Sequence, residues 1–105
     1  MLLKVNTSNT DYSGIHAIDA RKACIINSVG LTFLDIVFYG GYESQNSVFR
    51  FTINNNTADK VIRCIGIYMD KHIKARSPIC TLFDNYSNFS CCKDITGVTV
   101  KTRKV

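Results

Sequence analysis

The clearest alternation of apolar and polar residues lies at Val48–Ile53. Phe49, Phe51 and Ile53 fall on one side of this segment, and Arg50 falls on the other. Because successive side chains of a strand point to opposite faces of a sheet, the pattern predicts a strand with one face toward a core and one toward water.

Two longer segments are rich in β-branched and aromatic residues, which favour strands. The first, Leu31–Tyr39, is closed by the turn signal Gly40-Gly41, and we expect it to be buried for most of its length. Asp35 interrupts it, which either marks its solvent face, the interpretation we favour, or indicates a buried carboxylate with a partner. The second, Val61–Met69, has apolar residues on both faces and predicts another partly buried strand.

The remaining segments are shorter or ambiguous. Polar clusters predict loops at Thr7–Ser13 and Asn54–Asp59, and Asp70–Ser77 is expected to be an exposed connection. Segment 15–26 fits both a strand and a helix, so one short helix near residues 17–26 is the alternative there. Further strands are predicted at Leu2–Val5, in a hairpin over Ile79–Cys92 with its turn at Asp84-Asn85, and at Ile95–Val100.

Strand signals thus recur about every ten to fifteen residues with polar turns between them, which is typical of an antiparallel sandwich or barrel. We therefore predict an all-β, mainly antiparallel fold, an immunoglobulin-like sandwich or small barrel. With 105 residues, of which 46% are hydrophobic, the chain suits one β-rich domain over residues 1–100, followed by a basic tail over 101–105.

Three segments carry a resemblance to a known family. They are Ser47–Thr57, with its Asn-Asn-Thr turn, then Lys60–Ile67, then Ile79–Phe83 with the pattern Ile-Cys-Thr-Leu-Phe. In order and spacing this resembles the start of the C-terminal lobe of arrestins over residues 31–91, apart from an insertion at His72–Pro78. The resemblance implies an immunoglobulin-like fold and scaffold-type binding. A lobe this short would leave a sheet edge uncovered, which favours dimerisation or a partner strand.

The formal net charge of +5 permits an acidic partner such as a nucleic acid or another polyanion. Two basic groups flank aromatic residues that could stack on bases. If the fold brings the groups together they form an anion- or partner-binding patch, whereas a solvated edge and a frayed tail are the alternative. The candidate residues are Lys71, Lys74, Arg76, Tyr86, Phe89, Lys101, Arg103 and Lys104.

The five cysteines are Cys24, Cys64, Cys80, Cys91 and Cys92. An odd number without a secretory signal favours reduced thiols in the cytoplasm. Four Asn-x-Ser/Thr sequons support the alternative of a secreted protein, in which the first disulfide to test joins Cys80 to Cys91 or Cys92. The sequons begin at Asn6, Asn55, Asn85 and Asn88.

No motif in the chain carries recognisable chemistry. The spacing of the cysteines matches no zinc site, and neither His16 nor His72 is placed beside a cysteine that it could activate. No apolar run reaches the roughly 18 residues of a membrane span. We therefore expect no cofactor, no metal and no catalysis. The leading hypothesis is a protein-interaction module that acts through an exposed strand edge or loop end. The module is expected to be virus-encoded or host-interacting, and a homodimer is one form of this hypothesis. The alternative is a small nucleic-acid- or phosphate-binding domain.

Overall fold

The computed structural model of the chain describes residues 1–8, 12–40 and 45–104, with the backbone alone at Lys104. Eight strands and one long helix follow one another along it. They are β1 (Leu2–Thr7), β2 (Gly14–Asp19), β3 (Ala23–Val29), β4 (Phe33–Phe38), β5 (Gln45–Ile53), α1 (Ala58–Lys74), β6 (Ile79–Asp84), β7 (Phe89–Ser90) and β8 (Ile95–Lys104).

The strands form two sheets of four. Sheet 1 has the order β2-β1-β6-β7 and sheet 2 the order β3-β4-β5-β8. Every neighbouring pair is antiparallel except β1 and β6, which are parallel. The prediction of an all-β, mainly antiparallel sandwich is confirmed.

One core lies between the sheets, built from alternate residues of their strands. From sheet 2 it receives Leu34, Ile36 and Phe38 of β4 and Phe49, Phe51 and Ile53 of β5, as the alternation in β5 predicts. Leu3, Val5 and Leu82 contribute from sheet 1, and Val61 and Ile65 of α1 pack against the same cluster. The Phe38 and Phe49 rings meet edge to face, with centroids 4.8 Å apart.

The predicted strand at Val61–Met69 is wrong, because this segment lies in α1. Its more buried residues, Val61, Cys64, Ile65 and Tyr68, recur every three or four positions, which places them on one face of a helix. Ion pairs between Asp59 and Arg63 and between Asp70 and Lys74 have the i,i+4 spacing that supports a helix. The segment Lys60–Ile67, one of the three that carry the arrestin resemblance, is therefore helical.

The helix also takes up most of the predicted exposed connection at Asp70–Ser77, because it continues to Lys74. Its end has the hydrogen bonds of a Schellman motif. The Ser77 N–H donates to the His72 carbonyl at 2.9 Å, and the Arg76 N–H donates to the Ile73 carbonyl at 3.0 Å. Arg76 has a φ of 55°, the left-handed conformation that this motif requires and that glycine adopts most readily.

Segment 15–26 combines both predicted states. It is extended in β2 and β3, and a 3-10 turn at Ala20–Lys22 joins them. The Asp19 carboxylate caps this turn by accepting from the Arg21 backbone N–H at 2.9 Å. The short helix near residues 17–26 is thus a single turn at the crossover between the two sheets.

Two further predictions change at their boundaries. Strand β8 continues to Lys104, so residues 101–104, expected in a tail, pair with β5. The predicted loop at Thr7–Ser13 falls partly outside the described residues, as does Gly41 of the Gly40-Gly41 turn. Among the described residues, no helix is both long and apolar enough to cross a bilayer.

Candidate interaction surface

Each sheet ends in two edge strands, β2 and β7 in sheet 1 and β3 and β8 in sheet 2. Strand β7 has two residues, which offers little backbone for pairing. Strand β8 approaches β1 along its free side, where the Thr7 hydroxyl donates to the Val98 carbonyl at 2.8 Å. It also carries Lys101 and Arg103, and charged edge residues oppose pairing with other chains.

Strand β3 has none of these protections. Its seven residues, Ala-Cys-Ile-Ile-Asn-Ser-Val, include no charge and no proline, and within the part of the chain that the structure describes it pairs only with β4. Ile25 and Ile26, on opposite faces of the strand, are 48% and 46% exposed. Exposed Leu31, Phe33 and Tyr39 lie next to it in β4 or in the adjoining turns. An apolar, uncharged edge of this length is a template for another strand.

The outer face of sheet 2, which points away from the core, carries a row of polar residues across its strands. The register aligns Asn27 of β3 with Asp35 of β4, Asp35 with Arg50 of β5, and Arg50 with Thr99 of β8. The next row contains Val37 and Val48, which are almost fully buried although they lie outside the core cluster. This face therefore contains a small packed layer of its own.

Asp35 and Arg50 form a bidentate ion pair at the centre of this face. The Arg50 Nε donates to Asp35 Oδ1 at 2.7 Å and its Nη2 donates to Oδ2 at 2.8 Å. The Asp35 side chain is 4% exposed and that of Arg50 25%. The guanidinium also lies over the Phe33 ring, 5.2 Å from its centroid, and the pair raises the pKa of Arg50. The interpretation of Asp35 as a buried carboxylate with a partner is therefore correct, and the favoured one, a residue that marks the solvent face, is wrong, although Asp35 lies on the face that points away from the core.

A cavity of about 270 Å³ opens beside this pair. It is lined by Asn27, Val29, Asp35, Arg50, Lys101, Thr102 and Arg103. Lys101 and Arg103 form no ion pair with a described carboxylate. The Asn27 Oδ1 is buried and accepts no hydrogen bond, while its Nδ2 donates to the Ser28 carbonyl at 3.3 Å.

The structure divides the eight residues predicted as a site into two groups. Lys101 and Arg103 lie on the outer face of sheet 2, and the backbone of Lys104 pairs with Gln45. The other five lie at the end of α1 and on the hairpin of β6 and β7. Lys71 and Phe89 line cavities other than the one that Lys101 and Arg103 line.

The helix group is itself less cationic than the sequence indicates, because Lys74 Nζ is 2.9 Å from Asp70 Oδ2. Phe89 contacts Tyr68, with ring centroids 6.1 Å apart, whereas Tyr86 is exposed. Lys71 lines a mainly apolar groove of about 360 Å³ with Lys60, Arg63, Cys64, Ile67, Tyr68 and Cys91. The aromatic residues therefore serve partly to pack the hairpin against α1.

Cys64 of α1 and Cys92 form a disulfide with their Cα atoms 6.0 Å apart. This corrects the pairing of Cys80 with Cys91 or Cys92 that the sequence singled out for an oxidised chain. Cys80, Cys91 and Cys24 are free. Burial raises the pKa of the Cys80 thiol, and burial together with nearby Cys80 raises that of Cys91 to about 12. Both thiols are therefore protonated and weakly nucleophilic at neutral pH.

Within residues 1–8, 12–40 and 45–104, no three His, Cys, Asp or Glu side chains are grouped so as to hold a metal ion. Comparison of the chain with protein-family models, with curated proteins and with solved structures finds no match. The function must therefore be argued from the geometry of this chain.

Ile25, Ile26 and Asn27 are not among the site residues predicted from the sequence. A run of seven uncharged residues was a visible signal, but it marks a binding surface only at a sheet edge. That position depends on the strand order.

Proposed function

We propose that the protein is a non-enzymatic interaction module whose edge strand β3 pairs with a strand of a partner. The observation that carries this proposal is the contrast among the four edge strands of the described residues. Strand β2 exposes Ile15 but carries the charge of Asp19, so β3 alone combines length, lack of charge and two exposed isoleucines. Backbone hydrogen bonds would supply affinity, and the side chains at Ile25 and Ile26 would supply selectivity.

The partner that this edge fits is a second copy of the chain, with the two β3 strands antiparallel about a two-fold axis. With Ile26 opposite its own copy, Ile25 faces the partner's Asn27. Lys22 precedes β3, so the two Lys22 residues lie beyond opposite ends of the paired strands, whose span of about 20 Å is well beyond the screening length at physiological salt. The arrangement adds apolar contacts without bringing like charges together, and it joins two four-stranded sheets into one of eight strands.

Light scattering on a sizing column over a range of protein concentrations tests this proposal. We expect the wild-type chain to dimerise with rising concentration and Ile25→Lys to remain a monomer, because lysine on an edge opposes strand pairing. Ile15→Lys is the matched control, since Ile15 is 64% exposed on β2, the edge strand of the other sheet. A monomeric wild-type chain, or equal loss of the dimer in both variants, would contradict pairing through β3.

Cys24 offers an independent test of the register. It is an exposed free thiol on β3, where the pairing with β4 shifts, and its Sγ lies 3.3 Å from the Val37 carbonyl. In the proposed dimer the two Cys24 residues are about 13 Å apart along the strands, so a bis-maleimide of that span should crosslink them. Cys24→Ser should abolish the crosslink, and crosslinking that persists in Ile25→Lys would exclude this interface.

Two observations favour a secreted location of the protein over a cytoplasmic one. The disulfide between Cys64 and Cys92 needs oxidising conditions to persist, and three sequon asparagines, Asn55, Asn85 and Asn88, are exposed. Alkylation of the unfolded, unreduced protein should label three cysteines. Five labelled cysteines in protein taken from its native compartment would support the cytoplasm instead.

A further inference from the structure

The groove along α1 that Lys71 lines combines apolar surface with cations. Its surface is mainly apolar, and Ile67, which lines it, is 63% exposed although it is a large apolar residue. Three of its lining residues, Lys60, Arg63 and Lys71, are cations, and no described carboxylate lines it. A site of this composition matches a ligand that has an apolar body and a negative charge.

The groove is long and narrow, because one stripe of α1 forms most of its lining. Its helical residues, from Lys60 through Ile67 to Lys71, recur with the three- and four-residue spacing of one helix face. Lys60 and Lys71 are therefore about 16 Å apart along the helix axis. Cys91, which follows β7, lines the groove from outside the helix. A volume of about 360 Å³ over this length leaves space for a single slender chain.

Lys71 is the cation of this groove that is available to an anionic ligand. Lys60 Nζ is already 3.2 Å from Asp94 Oδ2, and Arg63 Nε is 3.3 Å from Asp59 Oδ2. Lys71, by contrast, forms no ion pair with a described carboxylate. An anion at Lys71 therefore gains a partner there without displacing an existing one.

Tyr68 gives the groove a partly buried, uncharged wall. Burial, with smaller contributions from nearby Cys80 and Cys91, raises the pKa of its phenol. The phenol is therefore neutral at physiological pH and does not repel an anion bound at the neighbouring Lys71. Its ring offers further apolar surface to the body of the same ligand.

The size of the groove favours a small ligand over a protein partner. Small-molecule sites have volumes of about 300–1,000 Å³, and this groove lies at the lower end of that range. A stable protein–protein interface instead buries about 800 Å² on each partner, which a groove of this size does not provide. A flat membrane surface could contact the exposed Ile67 side chain but could not fill the space beside it.

From the composition, shape and charge of the groove we propose that it binds the monomeric anion of a fatty acid. The carboxylate lies at Lys71, and the hydrocarbon chain extends past Ile67 toward Cys91. Burial of the unbranched chain supplies the affinity, and Lys71 fixes its direction. The groove shares no residue with β3, so this proposal and pairing through β3 can fail independently.

The test titrates the isotopically labelled chain with dodecanoate, below the concentration at which it forms micelles, and follows backbone amide shifts by NMR. We expect shifts centred on α1 between Lys60 and Lys71 and at Cys91. Saturated fatty acids of increasing length should bind about twofold to fourfold more tightly with each added CH₂ group, until the groove is full. Dodecyltrimethylammonium, which has the same chain and a cationic head, should bind at least about tenfold more weakly than dodecanoate.

Two pairs of variants distinguish the groove from the rest of the surface. Ile67→Glu should weaken dodecanoate binding at least about tenfold, because it replaces apolar surface with a charge that repels the carboxylate. Ile73→Glu should change the affinity less than about twofold, since Ile73 is 60% exposed on the same helix but does not line the groove. Lys71→Gln should weaken binding about threefold, whereas Lys101→Gln, in sheet 2, should leave it unchanged. Equal losses within either pair would show non-specific attraction to the surface and would overturn the site.

Two further outcomes would assign the groove to another occupant. If vesicles of anionic phospholipid bind more tightly than dodecanoate, and Ile67→Glu and Ile73→Glu reduce that binding equally, the helix contacts a membrane surface and the proposal is wrong. If light scattering shows a dimer that Ile67→Glu dissociates and Ile25→Lys does not, a second copy of the chain occupies the groove, and the proposal is also wrong. The absence of shifts on α1 with every fatty acid would overturn it without any variant, because this measurement uses the wild-type chain.

Discussion

The two faces of sheet 2 are built from the same four strands but differ in composition and in what they do. The inner face is apolar and includes Phe38, Phe49 and Phe51, all fully buried. The outer face buries two valines, Val37 and Val48, beside the ion pair of Asp35 and Arg50. Since β-strand residues alternate between faces, each strand contributes to both environments with neighbouring residues.

The two faces of sheet 2 contribute differently to the stability of the fold and to binding. The inner face gains its free energy from burial of large apolar side chains, which is not selective for a ligand. The outer face contains directional groups, among them the Arg50 guanidinium bound to Asp35 and the cations Lys101 and Arg103, which form no ion pair with a described carboxylate. Substitutions on the inner face should therefore change folding, whereas those on the outer face should change folding less and binding more.

The largest expected effect is that of Phe49→Ala on the inner face. Removing a fully buried ring leaves a cavity between the sheets, and we expect a loss of about 3–5 kcal/mol in the free energy of unfolding. Urea denaturation followed by circular dichroism measures it. A loss below about 1 kcal/mol would show that the core collapses around the gap and would weaken the distinction between the faces.

A smaller loss is expected for Asp35→Ala on the outer face. Arg50 then keeps a partly buried guanidinium without its carboxylate, and we expect a loss of about 2 kcal/mol in the free energy of unfolding, since Arg50 is partly solvated. The double variant Asp35→Leu with Arg50→Leu is the control, and it should recover most of that loss because no charge is left unpaired. If the double variant is less stable than Asp35→Ala, the ion pair contributes to the packing of the outer face in addition to neutralising its own two charges.

The smallest effects come from one substitution made on both faces. Val100→Ala on the inner face should cost about 2 kcal/mol and Val48→Ala on the outer face about 1 kcal/mol, although both valines are almost fully buried. The difference is expected because long side chains such as Arg50 and Lys101 can move over the outer gap, whereas the core between two sheets cannot collapse so readily. Equal losses, measured by the same denaturation, would mean that the outer layer is packed as tightly as the core.

Predictions from the sequence were most accurate where one local pattern favoured a single structure. The alternation at Val48–Ile53 and the apolar segment Leu31–Tyr39 were both confirmed as strands of sheet 2, the second over the shorter range Phe33–Phe38. The prediction was wrong at Val61–Met69, where β-branched residues favour a strand while the spacing of Val61 and Ile65 fits a helix equally well. Packing against the core decided between strand and helix. The i,i+4 spacing of opposite charges on the outer side of the helix is visible in the sequence and also favours the helix.

The candidate sites were predictable only in part. Charge alone drew attention to Lys101 and Arg103, which line the outer-face cavity, but the sequence grouped them with Lys71 and Arg76 at the end of α1. Asn27 and Ile25 gave no signal of comparable strength. Their importance depends on the position of β3 in its sheet and on residues far away in the chain.

The sequence by itself determined the strand-rich class of the fold, the inward and outward sides of β5, and the net positive charge, because these follow from local side-chain order and composition. Only the tertiary structure decided that β3 is an edge, that Cys64 pairs with Cys92, and that Asn27 shares a cavity with Lys101. The last two facts join residues that are 28 and 74 positions apart. Such contacts form through strand order and helix packing, which depend on the free energy of the whole core.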